Sequence, residues 1–173
     1  MNSIYKIIPF SIKHGNCGGS LIQFQQGDDP ENVLPFDIGK VLVSSDMQPD
    51  DVRGNHAHYE TEQIVVALSG GCTFELDDGC GRKETVSLSA TEIGDQKSVL
   101  SPRISDPRSL SSDIKEALLL YPHIWRTFYD FEPGTVLLIV ANIKYDEVDY
   151  IRDRAEFERV AKTWNGLGGS AEC

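Results

Sequence analysis

Two histidines one residue apart are the most chemically suggestive feature of the chain. His56 and His58 lie in Arg53-Gly54-Asn55-His56-Ala57-His58, and the segment continues through Gln63 into the apolar run Ile64-Val65-Val66-Ala67-Leu68. On an extended segment side chains alternate between faces, so both imidazoles project from one side. An unperturbed imidazole titrates at about 6.5, which suits it to take and return a proton near neutrality, and it is also the commonest metal ligand. The pair therefore reads in two ways, as a proton-transfer site or as two ligands of a metal with Glu62 as a third.

Such a pair needs a rigid sheet beneath it, and the chain offers many short strand-like runs. These are Ile4 to Phe10, Ser20 to Gln25, Lys40 to Ser44, Gln63 to Leu68, Cys72 to Leu76, Glu84 to Leu88, Ala117 to Tyr121 and Val136 to Ala141. Asp77-Asp78-Gly79 makes a hairpin turn between two of them. Short strands punctuated by Gly and Asp predict an all-β sandwich or barrel rather than βαβ units. From Asp149 to Ala161 apolar residues recur at 151, 157, 160 and 161 among charges, which predicts a short amphipathic helix on the outside of the body. Residues 26–32 and 95–113 read as loops, and the Gly-rich end from Asn165 to Cys173 as frayed.

At 173 residues the chain fits one domain with one core. Its 27 acidic against 16 basic residues give a net charge of −11, which argues against nucleic acid or an anionic membrane as partner. An anionic small ligand remains compatible if a few arginines line its pocket. No run approaches the ~20 apolar residues of a membrane span, and the N-terminus lacks the pattern of a secretory signal. The four cysteines show no CxxC spacing, so neither a zinc site nor a disulfide framework is expected, and a reducing cytoplasm is the expected location.

Part of the pattern resembles the metal sites of cupins, which take HxH, a glutamate about four residues on, and a further histidine from a distant strand. His56, His58 and Glu62 are similar to the first three, but Thr127 stands where the last would fall in Tyr121-Pro122-His123-Ile124-Trp125-Arg126-Thr127. A broader resemblance is to the sugar 3,4-ketoisomerase family of cupins, the WxcM-like enzymes acting on nucleotide-linked 4-keto-6-deoxyhexoses. Arg53-Gly54-x-His56-Ala57-His58 followed by Gln63 resembles that family's signature. Ile8-Pro9-Phe10, Gly19-Ser20-Leu21 and Leu34-Pro35-Phe36-Asp37-Ile38 resemble its opening, and Tyr121-Pro122-x-x-Trp125-Arg126 and Tyr145-Asp146-Glu147-x-Asp149-Tyr150-Ile151-Arg152 its closing block. The chain departs from the family at Lys40-Val41-Leu42-Val43-Ser44, which lacks the usual arginine and tyrosines, and at Tyr59-Glu60-Thr61-Glu62.

The resemblance implies a cupin-type double-stranded β-helix, a jelly-roll barrel with substrate in its mouth and the C-terminal helix outside. It also implies a homodimer, with exchanged N-terminal strands as one arrangement. The implied reaction is isomerisation of a dTDP-linked 4-keto-6-deoxyhexose to its 3-keto isomer, with no cofactor. The carbonyl acidifies the neighbouring C3 proton, so a positioned base generates an enediolate that is reprotonated at C4. On this reading His58 takes the C3 proton and His56 assists between oxygens, and exchanging the two roles fits the sequence equally well. Arg53, Gln63, Trp125 and Arg126 are the candidate substrate-binding residues: Arg53 at the phosphates or as a loop anchor, Gln63 at an imidazole or as a strand cap, Trp125 as a sugar or base platform or as a buried strand aromatic. Trp125 and Arg126 fall on opposite faces of a strand, so both cannot line one pocket. Tyr145 to Tyr150 reads as a lead into the helix rather than a site. The alternatives are a metal-dependent cupin dioxygenase and a non-catalytic sugar-binding cupin.

Overall fold

The computed structural model describes residues 3–17, 19–25, 34–90, 114 and 116–166. Among these described residues, twelve strands, one 3₁₀ turn and one α-helix form around two facing five-stranded sheets. The first sheet contains β1 (Tyr5–Pro9), β9 (Glu116–Leu120), β6 (Gln63–Ser69), β11 (Val136–Ala141) and β4 (Lys40–Ser44), in that spatial order. The second contains β12 (Tyr150–Ile151), β5 (Arg53–His58), β10 (Trp125–Tyr129), β7 (Gly71–Asp77) and β8 (Lys83–Ser89). A separate hairpin pairs β2 (Ile12–His14) with β3 (Ser20–Ile22). All the strand pairings are antiparallel. This is the all-β jelly-roll architecture that the strand pattern and the resemblance anticipate.

The core follows from the sequence. In β6 the run Ile64 to Ala67 is β-branched at three of its four positions and buried throughout, as suits a strand central to its sheet. Val65 and Ala67 face into the barrel with Phe74, Leu76, Leu118 and Leu137, while Ile64 and Val66 pack on the outer side with Leu34, Ala117 and Leu119. That alternation is the period-2 rule acting on a strand covered on both faces.

Helix α1 (Arg154–Gly166) begins later than the amphipathic pattern suggests. Residues 147–149 instead form a 3₁₀ turn capped by the Asp146 side chain, which accepts from the Val148 N–H at 3.0 Å, and Tyr150–Ile151 pair with the histidine strand. Phe157, Val160 and Ala161 of α1 bury against Ala57, Trp125 and Ile151 on the outer face of the second sheet. Burying Phe157 alone contributes roughly 1.5–3 kcal/mol. The close approach depends on Gly79, at φ +74° in the β7–β8 turn: a Cβ there would stand 2.5 Å from Ala161 Cβ and 2.9 Å from the Phe157 ring. The loops expected at 26–32 and 95–113, and the end of the tail, lie outside the described residues. Cys17 and Cys72 are free thiols, whereas Cys80 is disulfide-bonded, a departure at one position from the reduced state expected for the cysteines. Among the described residues no helix is long and apolar enough to cross a membrane.

Candidate active site

The histidine strand is irregular where its motif demands glycine. Gly54 has φ +79° and Asn55 φ +52°, and the β5–β10 register shifts between Arg126 and Thr127. A Cβ on Gly54 would meet the Arg126 carbonyl oxygen at 2.6 Å and the Phe128 ring at 2.8 Å. The bulge lets β5 press against β10 and turns His56 and His58 inward, their ring centroids 4.8 Å apart and their planes at 88°. Both imidazoles do share a face, as the spacing predicts.

Each ring is held through Nδ1. His56 Nδ1–H donates to the Gly54 carbonyl at 2.9 Å, because a carbonyl oxygen can only accept. His58 Nδ1–H donates to Asp149 Oδ2 at 2.8 Å, within a fully buried setting. Asp149 is in turn satisfied by the Thr61 hydroxyl and by the Glu60 N–H, the latter at 2.7 Å to Oδ1. Burial opposes its charge, but the Thr61, Glu60 and His58 hydrogen bonds outweigh that and hold its carboxyl below the usual range. With Nδ1 protonated in both rings, both Nε2 atoms carry the free lone pair. That of His58 is buried without a partner among the described residues.

Burial is also the main cause that keeps both rings neutral. His56 is pushed down to about 4, by burial first and then by the Arg126 charge. Burial followed by Arg126 and His56 likewise depresses His58, against the opposing pull of Asp149. Both rings are therefore unprotonated at neutral pH, with a lone pair left to accept a proton.

Arg126 is 1% exposed and is held by Gln63 Oε1 at 2.9 Å and by the carbonyls of Tyr121 and Ile124. Its Nε–H also goes to Ile124, so among the described residues four of its five N–H groups are engaged and one remains on Nη1. Arg126, His56, Gln63 and Tyr150 form the polar part of a cavity of about 110 Å³ whose remaining wall is apolar, including Phe74 and Phe128. His58 sits one layer deeper, with Tyr150 at 4.3 Å and His56 at 4.8 Å between ring centroids.

The other expected residues fall elsewhere. Trp125 faces away from the cavity and packs under α1, 5.4 Å from the Phe157 ring, so the opposite-face argument holds and Arg126 is the residue that lines the pocket. Gln63 reaches the cavity but bonds Arg126 rather than an imidazole, a correction to its expected role. Arg53 opens β5 with a largely exposed side chain paired to Asp51 at 3.0 Å, outside the cavity wall. Glu62 does not join the histidines: among the described residues no three His, Cys, Asp or Glu side chains gather as metal ligands. Asp149 and Tyr150 correct the reading of 145–150 as merely a lead into the helix. Their signal was one buried acid among several exposed ones, visible only once β12 pairs Tyr150 with His58.

Fold and site together define a cupin-type barrel that encloses a pair of imidazoles, each held through Nδ1, on and just behind the wall of its cavity. The chain belongs to the WxcM-like, C-terminal family (FdtA), whose model matches residues 3–95 and 106–162. It is 29% identical over 154 residues to TDP-4-oxo-6-deoxy-alpha-D-glucose-3,4-oxoisomerase of Aneurinibacillus thermoaerophilus, covering 89% of this chain and 90% of that one. Among solved structures, a 3,4-ketoisomerase from Helicobacter canadensis is 30% identical with a TM-score of 0.69, over 91% of this chain and 96% of that one. The WlaRB TDP-quinovose 3,4-ketoisomerase of Campylobacter jejuni is also 30% identical, with a TM-score of 0.68 over 90% and 97% of the two chains.

Proposed function

We propose that the protein is a sugar-nucleotide isomerase that converts a TDP-linked 4-keto-6-deoxyhexose to its 3-keto isomer. The observation that carries this reading is the neutral histidine pair, each ring offering Nε2, on and just behind the wall of a largely apolar cavity. Family membership and the activities named for the relatives supply the reaction class.

His56, which lines the cavity, takes the C3 proton on Nε2. The C3–H electron pair becomes the C3–C4 double bond, and the carbonyl pair moves onto O4. His58, the deeper imidazole, is the second acceptor and carries the hydroxyl proton from O3 towards O4, its tautomer set by Asp149. The O3 electrons then rebuild the carbonyl at C3, and His56 returns its proton to C4. This exchanges the two roles relative to the first sequence assignment, because His56 rather than His58 faces the cavity. The remaining N–H of Arg126 and its charge favour the enediolate oxygen.

The same reading makes the protein a cytoplasmic homodimer, since nucleotide sugars are made in the cytoplasm and β4 offers a surface for a second copy. β4 lies at the edge of its sheet with Val41 and Val43 turned outward, 55% and 64% exposed. The test of function is incubation with TDP-4-keto-6-deoxyglucose in deuterated water, followed by NMR. A 3-keto product is expected, with solvent deuterium at C4 only to the extent that the proton on His56 Nε2 exchanges with solvent before it is returned. Bound but unchanged sugar would refute the isomerase and leave a binding protein, and turnover strictly dependent on added iron would refute the histidine mechanism.

A further inference from the structure

β4 departs from the family pattern, and it places a lysine against Tyr150, a residue of the cavity wall. Leu42 lines the cavity while 43% exposed, so the cavity opens along this strand. Lys40 stands two residues before Leu42 and therefore projects from the same face. Its backbone is fixed opposite Ala141 of β11. The ammonium lies over two aromatic rings, 5.4 Å from the centroid of Tyr150 and 5.7 Å from that of Tyr145. Tyr150 is the ring that also packs on both histidines.

Lys40 Nζ is withdrawn from solvent without a hydrogen-bond partner among the described residues. Tyr faces offset part of the cost of this charge, yet a ring accepts none of its three N–H groups in the way an oxygen does. Glu147, the carboxylate bonded to Tyr145, is already held by Arg152 at 2.7 and 3.1 Å. An unpaired buried cation lowers stability, and such groups persist where a ligand completes them. Arg126 and Lys40 both act on His56 as positive charges, which suits an anionic ligand although the chain as a whole is acidic.

We propose that Lys40 is a substrate-binding residue whose ammonium is completed by an anionic oxygen of the nucleotide sugar. The inference rests on the isomerase reading for the identity of that ligand. Two oxygens of this chemistry exist in the substrate, those of the diphosphate bridge and the one that becomes negative in the enediolate. They differ in when the charge appears, because the phosphates are anionic on binding and the sugar oxygen only as C3 loses its proton.

The experiment compares the wild type with Lys40→Met and Lys40→Arg by calorimetric titration with TDP, by turnover of TDP-4-keto-6-deoxyglucose, and by thermal melting. Lys40→Met is expected to melt at or above the wild-type temperature while losing at least tenfold in TDP affinity or in kcat, with Lys40→Arg recovering most of the loss. A tenfold weaker TDP complex identifies the phosphates as the partner, and an unchanged TDP complex with tenfold lower kcat identifies the sugar oxygen. Unchanged affinity and turnover overturn the proposal, and so does a Lys40→Met protein that loses function together with its melting temperature. Should the wild type bind TDP and leave the keto sugar unchanged, the isomerase reading fails. The TDP titration still decides Lys40, a weaker complex supporting the proposal and an equal one overturning it.

Discussion

Replacing Asp149 by Asn separates the role of the tautomer from the role of the fold. The carboxylate accepts three hydrogen bonds, from His58 Nδ1–H at 2.8 Å, from the Glu60 N–H at 2.7 Å and from the Thr61 hydroxyl. An amide has one acceptor end, so whichever way it turns, a donor meets a donor. With nitrogen towards His58, the imidazole must move its proton to Nε2, which then cannot accept one. With nitrogen towards Glu60, the backbone N–H is left unpaired. Hydrogen bonds to a charged group contribute ~1.5–3 kcal/mol and neutral ones ~0.5–1.5. Neutralising Asp149 therefore costs about 1 kcal/mol per bond, or about 3 kcal/mol in all. At ~2–4 °C per kcal/mol for a chain of this size, Tm falls by about 6–12 °C. Loss of one proton-transfer group lowers kcat by ~10²–10⁴, with KM little altered. Turnover at a temperature where the variant remains folded, with nitrogen-15 NMR of the imidazoles to read the tautomers, checks both. A variant within threefold of wild-type kcat while His58 has shifted to the Nε2–H tautomer would refute the reasoning.

Two further outcomes follow from the same structure. His56 titrates at about 4 in the folded protein and near 6.5 unfolded, so between those values the unfolded chain binds more protons and stability falls as pH falls. At ~1.36 kcal/mol per pH unit, urea unfolding at pH 5 should give about 2 kcal/mol less stability than at pH 7 from His56 alone, with buried His58 acting in the same direction. A flat profile over that range would show that the ring is not held neutral, and the acid limb of kcat/KM should correspondingly lie well below pH 6.5. Val43→Glu, which sets a charge on the outward face of β4, should shift a dimeric wild type to the monomer mass in light scattering. A monomeric wild type at micromolar concentration would remove β4 as the dimer surface.

Some of this molecule is legible residue by residue. Lys40–Ser44 and Val136–Ala141 coincide with their predicted strands because apolar, β-branched runs bounded by turn residues leave few other solutions. The shared face of His56 and His58 is equally local, a consequence of the two-residue period, and the opposition of Trp125 and Arg126 follows from the same rule. What the rule does not say is which face meets the cavity. That depended on α1 covering the Trp125 side, a contact between residues far apart in the chain.

α1 starts later than the periodicity predicts, because the amphipathic pattern continues through Asp149 to Ile151 while pairing with β5 offers Tyr150 and Ile151 backbone hydrogen bonds in place of a helical turn. Sequence alone determined the barrel class, the histidine pair and the kind of reaction it suits. Tertiary structure decided which imidazole faces the cavity, which acid of the closing block sets a tautomer, and where an unpaired lysine comes to rest. The physical reason is that alternation along a strand is a local property, whereas desolvation and hydrogen-bond partnership arise only when segments some 90 residues apart, such as His58 and Asp149, are brought into contact.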